Sequence, residues 1–132
     1  MSIDSIANFL TIIRNGIMAS KTSVIAPYST MRHSIADILK EEGFITDFTI
    51  LNADSDAKKA LKVVLKYVDG EAVIHEIQRV SKPGRRVYAG IEEVKPVIGK
   101  LGISILTTNR GVITHQKAKK LSVGGEIICT VW

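Results

Sequence analysis

The stretch STMRHSIADILKEEGFITDFTI, residues 29–50, decides the fold class. Its first half sets Met31, Ile35, Ile38 and Leu39 three or four residues apart, the period of one buried helical face. Ser29 stands ahead of that stripe as an N-cap, and Gly43 follows it in the C′ position. Beyond the glycine the period drops to two: Phe44, Phe48 and Ile50 alternate with Ile45, Asp47 and Thr49, which predicts a strand. A helix running into a strand within so short a segment points to a mixed α and β domain.

Working outward toward the N-terminus, Val24-Ile25-Ala26 reads as a short strand stopped by Pro27, behind a Lys21-Thr22-Ser23 loop. Before it, Ile6, Phe9, Leu10, Ile13 and Ile17 trace a helical stripe that Asp4 can cap, with Asn8, Thr11, Arg14 and Asn15 on the polar side. Toward the C-terminus, Asn52 to Asp56 is a polar turn. Leu61, Val63, Leu65 and Tyr67 alternate with Lys62 and Lys66 as the second arm of a hairpin. Asp69-Gly70 breaks the pattern, and the expected subdomain boundary lies just after it, giving units 1–70 and 71–132. The second unit reads as mostly β: a strand Val73–Val80, a turn Lys82–Arg85, and Val87-Tyr88-Ala89 as that strand's partner. A strand Ile103–Thr107, a turn at Asn109-Arg110-Gly111, a helix His115–Leu121 capped by Thr114, and a final strand Glu126–Trp132 complete it. The expected fold class is α+β, an N-terminal αβαββ unit beside a largely antiparallel C-terminal β unit with one short helix.

The chain has 132 residues, enough for one compact domain or two small ones that fold without disulfide or metal. Its 45% hydrophobic and 23% charged content excludes a disordered chain. No segment has the roughly 18 uninterrupted apolar residues of a membrane span, and the first residues lack the basic cluster of a signal peptide. The single cysteine, Cys129, excludes an internal disulfide and a CxxC zinc site, and a reduced intracellular compartment is the expectation. Charge is segregated. Residues 1–76 carry 8 basic and 10 acidic side chains, whereas residues 77–132 carry 10 basic and 3 acidic ones. The net charge of +5 therefore comes from the C-terminal part, whose field suits a polyanion: nucleic acid, anionic membrane or acidic protein.

Catalysis finds little support. His33, His75 and His115 fall in different elements without metal-ligand spacing, far from Cys129, so no metal is expected. Gly99-Lys100 lacks the flanking residues of a phosphate-binding loop, and the paired acids Glu41-Glu42 and Glu92-Glu93 diverge on any regular element. Three segments suit nucleic acid better. Lys82, Arg85 and Arg86 crowd one tight turn with Tyr88 close behind, as phosphate contacts and a stacking ring; the alternative is a solvated tip with Tyr88 in the core. Lys117, Lys119 and Lys120, with His115, make a basic helix rather than an amphipathic membrane helix, because its apolar side is only Ala118 and Leu121; the alternative is a merely solvated helix. Thr107, Thr108, Asn109, Arg110 and Gly111 string short polar groups and a guanidinium at a strand end, able to reach base edges and 2′-hydroxyls, or simply forming a turn. Gly124 and Gly125 allow close backbone approach. Glu126, the only acid after Glu93, is suited to accept from a base amino group or to orient a neighbouring cation; the alternative is an ordinary residue at a strand start.

Taken in order, ProTyrSer (27–29), LeuLysGluGluGly (39–43), SerLysProGlyArgArgValTyrAlaGly (81–90), LeuGlyIle (101–103), ThrAsnArgGlyValIleThr (108–114) and GlyGlyGluIleIleCys (124–129) resemble the family of the eighth bacterial small-subunit ribosomal protein. The likeness runs collinearly from Asp4 to Trp132. It implies a two-domain α+β protein, not an enzyme, without cofactor or membrane. Such a protein binds the central domain of 16S-type rRNA directly and helps assemble the platform beside small-subunit proteins five and twelve. It also implies a place on the ribosome, cytoplasmic or organellar, and allows binding to its own messenger. A stand-alone RNA chaperone or mRNA-binding regulator is the alternative class. Carried over by motif, the RNA-binding positions are Thr107 to Gly111, where Asn109 replaces a serine and Arg110 a lysine, together with Tyr88, Glu126 and the helix pair Arg14-Asn15. The cations Lys82, Arg85, Arg86, Lys117 and Lys120 complete the expected surface with Gly124 and Gly125.

Overall fold

The helix and strand read from residues 29–50 are both present in the computed structural model, which describes residues 4–90 and 102–132. The paired acids at 92 and 93 and the Gly99-Lys100 pair lie outside the described residues. In chain order the elements are α1 (Ser5–Met18), β1 (Ser23–Pro27), α2 (Thr30–Glu41), β2 (Ile45–Leu51), β3 (Ala60–Leu65), β4 (Tyr67–Val68), β5 (Glu71–Ala72), β6 (Ile77–Arg79), β7 (Tyr88–Ala89), β8 (Ile103–Thr108), β9 (Gly111–Thr114), α3 (His115–Leu121) and β10 (Gly125–Val131). The fold class is α+β. The chain divides into two compact units, one spanning Ser5–Ile74 and one formed by Asp4 with the described residues from His75 to Trp132.

In the first unit the local signals set the ends of α2. The Ser29 hydroxyl accepts from the Arg32 amide at 3.1 Å. At the other end the Gly43 and Phe44 amides donate to the Lys40 and Leu39 carbonyls at 3.1 and 2.8 Å, with Gly43 at φ +80°. That bond pair is a Schellman stop, and it aims the chain into β2. The sheet runs β1-β3-β2, all antiparallel. Phe9, Leu10 and Ile13 of α1 and Ile35 and Leu39 of α2 bury against Val24, Ala26, Leu61, Val63 and Leu65. Each large side chain so enclosed stabilises by roughly 1.5–3 kcal/mol. Arg32, outside the apolar stripe, is also buried. It donates to the Pro27 carbonyl at 2.7 Å and twice to the Ser5 carbonyl, tying the end of β1 to the start of α1.

The second unit departs from the sequence expectation in its pairing. Val73–Val80 is not one strand: only Ile77–Arg79 is extended and paired. The chain passes from one unit to the other between Ile74 and His75, so the Val73 amide bonds back to Lys66 while the His75 and Glu76 amides both bond to the Trp132 carbonyl. Nor does Val87–Ala89 pair with that strand. Both β6 and β7 pair with β10, successively along the same edge, and β10 pairs with β8 on its other side. Tyr67 leaves the long arm of the first hairpin and forms the small β4-β5 ribbon. Gly111–Thr114, expected as turn and cap only, is strand β9, so Asn109-Arg110 becomes a two-residue loop.

Candidate nucleic-acid interface

Three residues far apart in sequence form one row across the second sheet. Strand β10 sets Glu126 opposite Tyr88 of β7 and, on its other side, opposite Thr107 of β8. Opposed residues of antiparallel strands point to the same face, so tyrosine, carboxylate and hydroxyl lie side by side. Tyr88 is 68% exposed, which settles the choice between surface and core in favour of surface. The Thr107 hydroxyl, half-buried, has no hydrogen-bond partner among the described residues.

The strands approach this closely because β10 begins with glycines. A Cβ at Gly125 would lie 2.2 Å from the Thr107 carbonyl oxygen, and one at Gly124 would lie 2.6 Å from that of Ala89. Both obstacles are backbone and cannot swing aside. Any side chain there would push β7 or β8 away and open the row.

Glu126 is held by a network that links the row to the basic turn. Its Oε2 accepts from the Ser81 hydroxyl at 2.6 Å and from Arg86 Nη1 at 3.0 Å. Ser81 is fully buried, and its Oγ also accepts from the Val87 amide at 3.1 Å, so it is fixed from both sides. The Ser81 hydroxyl, with Arg86 behind it, holds the Glu126 carboxyl below the usual carboxylate range against the opposing pull of burial; the charge of Arg79 adds least. Glu126 is therefore ionised at neutral pH and acts only as an acceptor. One oxygen is anchored. The other, Oε1, has no partner among the described residues. No buried side-chain oxygen there lacks one, so Oε1 is open to a donor from outside.

The cations of this unit occupy the turn before β7, the β8–β9 tip and helix α3. Lys82 and Arg85 close their turn with reciprocal backbone bonds of 2.9 Å, leaving Lys82, Arg85 and Arg86 exposed. At the β8–β9 tip the Thr108 hydroxyl accepts from the Arg110 amide and donates to the Gly111 carbonyl, each at 3.0 Å. Thr108 therefore shapes the loop, while Asn109 and Arg110 project from it and Gly111 takes the left-handed position at φ +102°. Helix α3 starts at Thr114, whose hydroxyl accepts from the Lys117 amide, and it carries exposed Lys117, Lys119 and Lys120. His115 does not join that basic face: it is 7% exposed, and its Nδ1 accepts from the Ser104 amide at 3.1 Å. Arg14 and Asn15 are exposed on α1, in the first unit.

Sequence reasoning missed two positioning residues. Ser81 was visible only as the residue before a basic turn, and nothing local announces its reach to Glu126, 45 positions away. Arg79 counts in the basic segment yet faces inward, bonded to the Ile128 carbonyl at 2.7 Å and paired with Asp4 at 3.0 Å. Cys129 is fully buried, and desolvation pushes its thiol up to about 12, so it is no nucleophile. Among the described residues no three His, Cys, Asp or Glu side chains cluster as metal ligands, and no helix is long and apolar enough to cross a membrane.

A small α+β protein with a polar and aromatic row on one sheet, and exposed cations on a turn, a loop tip and a helix of the same unit, has the make-up of a binding module. The sequence matches the family described as Ribosomal protein S8 over residues 4–132. It is 48% identical over 129 residues to the small ribosomal subunit protein uS8 of Marinobacter nauticus, covering 98% of this chain and 97% of that one. It is 46% identical, with the same coverage, to the proteins of that name from Pseudomonas paraeruginosa and Pseudomonas aeruginosa. The chain belongs to the ribosomal protein S8 family, whose members are structural, non-enzymatic components of the small ribosomal subunit.

Proposed function

We propose that this chain binds small-subunit rRNA directly through its C-terminal subdomain, 71–132, and does so as a structural part of the subunit. The observation that carries the reading is the Tyr88–Glu126–Thr107 row with its anchored carboxylate. An acid repels a polyanion unless it gains a compensating bond, so a half-buried ionised glutamate in a unit with exposed cations suits a base amino group or a 2′-hydroxyl. Tyr88 supplies a stacking face, and the Thr107 hydroxyl supplies a second polar reader. Gly124 and Gly125 set the spacing. Arg85, Arg86, Lys82, Lys117, Lys120 and Arg110 meet phosphates and give affinity without reading sequence. The central domain of 16S-type rRNA as the target, a role in platform assembly, the neighbours small-subunit proteins five and twelve, the chain's own messenger, and the contacts of Arg14 and Asn15 rest on the family resemblance.

The test is paired titration of the full chain with a central-domain rRNA hairpin and with a scrambled hairpin at fixed salt. Glu126→Gln weakens cognate binding by about 1–3 kcal/mol, the scale of a specific polar base contact. Scrambled RNA binds equally or slightly better because a repulsive charge is gone. Unchanged cognate affinity in a folded Glu126→Gln variant would overturn the assignment. Wild-type binding that does not distinguish the two hairpins would favour a general RNA chaperone instead.

A further inference from the structure

The two edges of the first unit's sheet differ. The β2 edge is blunted by a register irregularity between Ile45 and Asp47, and by Asp47 itself, paired with Lys40 at 3.0 Å. Both devices discourage another strand. The β1 edge has neither. Its pairing with β3 is regular from Ser23 to Pro27, and the strand carries no charge. Bonds from Leu65 to the Thr22 carbonyl and from Tyr28 to the Lys59 carbonyl fix the phase of the ladder, so the even-numbered residues turn their backbone toward β3. The N–H and C=O of Ser23 and Ile25 therefore face outward. None of these groups has a partner among the described residues. Pro27 ends the open edge, lacking an N–H and giving its carbonyl to Arg32.

This edge borders a groove of about 600 Å³ between β1 and α1, lined by Ile12, Asn15 and Ala19 on the helix side and by Lys21 and Ile25 on the strand side. Ile25 is 57% exposed, a large apolar side chain left in water beside unpaired strand groups. The only charged side chain in the lining is Lys21, at the end where β1 begins; its ammonium has no ion-pair partner among the described residues.

We propose that this groove takes an extended peptide segment of a protein partner, added antiparallel to β1 as a fourth strand, with an acidic side chain near the peptide's C-terminal end meeting Lys21. The outward N–H and C=O groups of Ser23 and Ile25 supply the main-chain bonds, and Ile12, Ala19 and Ile25 cover alternate side chains of the guest. An antiparallel guest places its C-terminal end beside the start of β1, where the cation stands. Nucleic acid fits less well, because one lysine in a largely apolar lining offers little to a phosphate backbone. A second copy of β1, added antiparallel, would set its uncharged Ala26-Pro27 end beside Lys21 and bring no acid to meet it.

The proposal does not depend on the rRNA surface of the second unit, which its test leaves untouched; at Asn15, which lines the groove, the peptide and the rRNA contact implied by the resemblance are competing occupants. The full chain, isotopically labelled, is titrated with the acetylated and amidated peptide Thr-Val-Thr-Val-Thr-Glu and with the same peptide ending in Lys. The acidic peptide shifts the Ser23 and Ile25 amides and slows their exchange, and it binds more tightly than the basic one. Lys21→Glu, at an exposed position, weakens the acidic peptide by about fivefold, the scale of a partly exposed ion pair, and favours the basic one. Ile25→Pro removes the outward donor without touching the β3 ladder and weakens both peptides; if that variant does not fold, Lys21→Glu decides. No perturbation of Ser23 and Ile25 by the acidic peptide, or no effect of Lys21→Glu, overturns the proposal. So does protection of these amides by self-association at high protein concentration, or by an rRNA hairpin in place of the peptide.

Discussion

The two units use similar hairpins to opposite ends. In the first, residues 5–74 balance 8 basic against 8 acidic side chains, and the cations are largely occupied within the unit. Lys40 pairs with Asp47 and lies over Phe48, Lys59 lies 4.1 Å over the Tyr28 ring, and Arg32 is bonded to backbone carbonyls. The tip of its hairpin, between β2 and β3, carries Asp54 and Asp56 against Lys58 and Lys59, and Asn52 closes it onto the Lys58 carbonyl. In the second, residues 75–132 hold 10 basic against 4 acidic side chains. The short β8–β9 tip carries Arg110 and no acid, the 82–85 turn leaves its cations exposed, and the nearest tyrosine stands in solvent instead of under a lysine. One unit engages Arg32, Lys40, Lys59 and Lys66 within itself and keeps its open backbone groups along the β1 edge. The other leaves a selected few side chains open, which is what a surface for a polyanion requires.

The sharpest way to break this contrast is to disturb one close approach in each unit. A Cβ at Gly125 would meet the Thr107 carbonyl oxygen at 2.2 Å, and a Cβ at Gly16 would meet Val24 Cγ1 at 2.3 Å. Gly125→Ala and Gly16→Ala should each cost roughly 1–3 kcal/mol by overpacking, measured by denaturant unfolding. Only Gly125→Ala should also weaken rRNA binding in the protein that remains folded, since it separates Thr107 from Glu126. Equal loss of RNA affinity in both variants would erase the distinction between the units.

A smaller effect separates their carboxylates. Both Glu126 and Asp47 are held below their usual values, Glu126 chiefly by the Ser81 hydroxyl and Asp47 chiefly by the bond to Lys40. A carboxylate with a depressed folded-state pKa contributes stability above its unfolded value, near 4.3 for glutamate, and loses it as pH falls through the folded value. Glu126 is largely shielded, with 15% of its side chain exposed, whereas Asp47 is 53% exposed and its pair with Lys40 is screened by solvent. Stability measured from pH 7 down to pH 3 should therefore show Glu126→Gln losing on the order of 1 kcal/mol at neutral pH, with the gap closing in acid. Asp47→Asn should track the wild type throughout.

What the sequence revealed divides along the same physical line. Ser29, Gly43 and Thr114 act within a few residues of themselves, and the ends of α2 and the start of α3 were legible from them. The basic turn and the exposed tip were legible for the same reason. Pairing across long separations was not. That β6 and β7 share one edge of β10, that Ser81 reaches Glu126, and that Tyr88, Glu126 and Thr107 align depend on a register set by whole strands and by two glycines. His115 looked basic by composition, and only packing against Ser104 reveals it as a buried acceptor. The continuous strand expected over Val73–Val80 failed because alternation in sequence does not report that the chain changes units at Ile74.

The most direct measurement compares matched losses of charge. Arg85, Arg86, Lys117 and Lys120 are changed together to Gln in one full-length variant, and Lys40, Lys58, Lys59 and Lys62 in another, and each is titrated with the central-domain rRNA hairpin across a salt series. Removing phosphate contacts lowers the slope of log affinity against log salt by about 0.7–0.9 per contact. The first variant should lose most of the wild-type slope and bind far more weakly, while the second should keep both slope and affinity close to wild type. Equal flattening in the two variants, or a larger loss in the second, would contradict the assignment of RNA binding to the C-terminal unit.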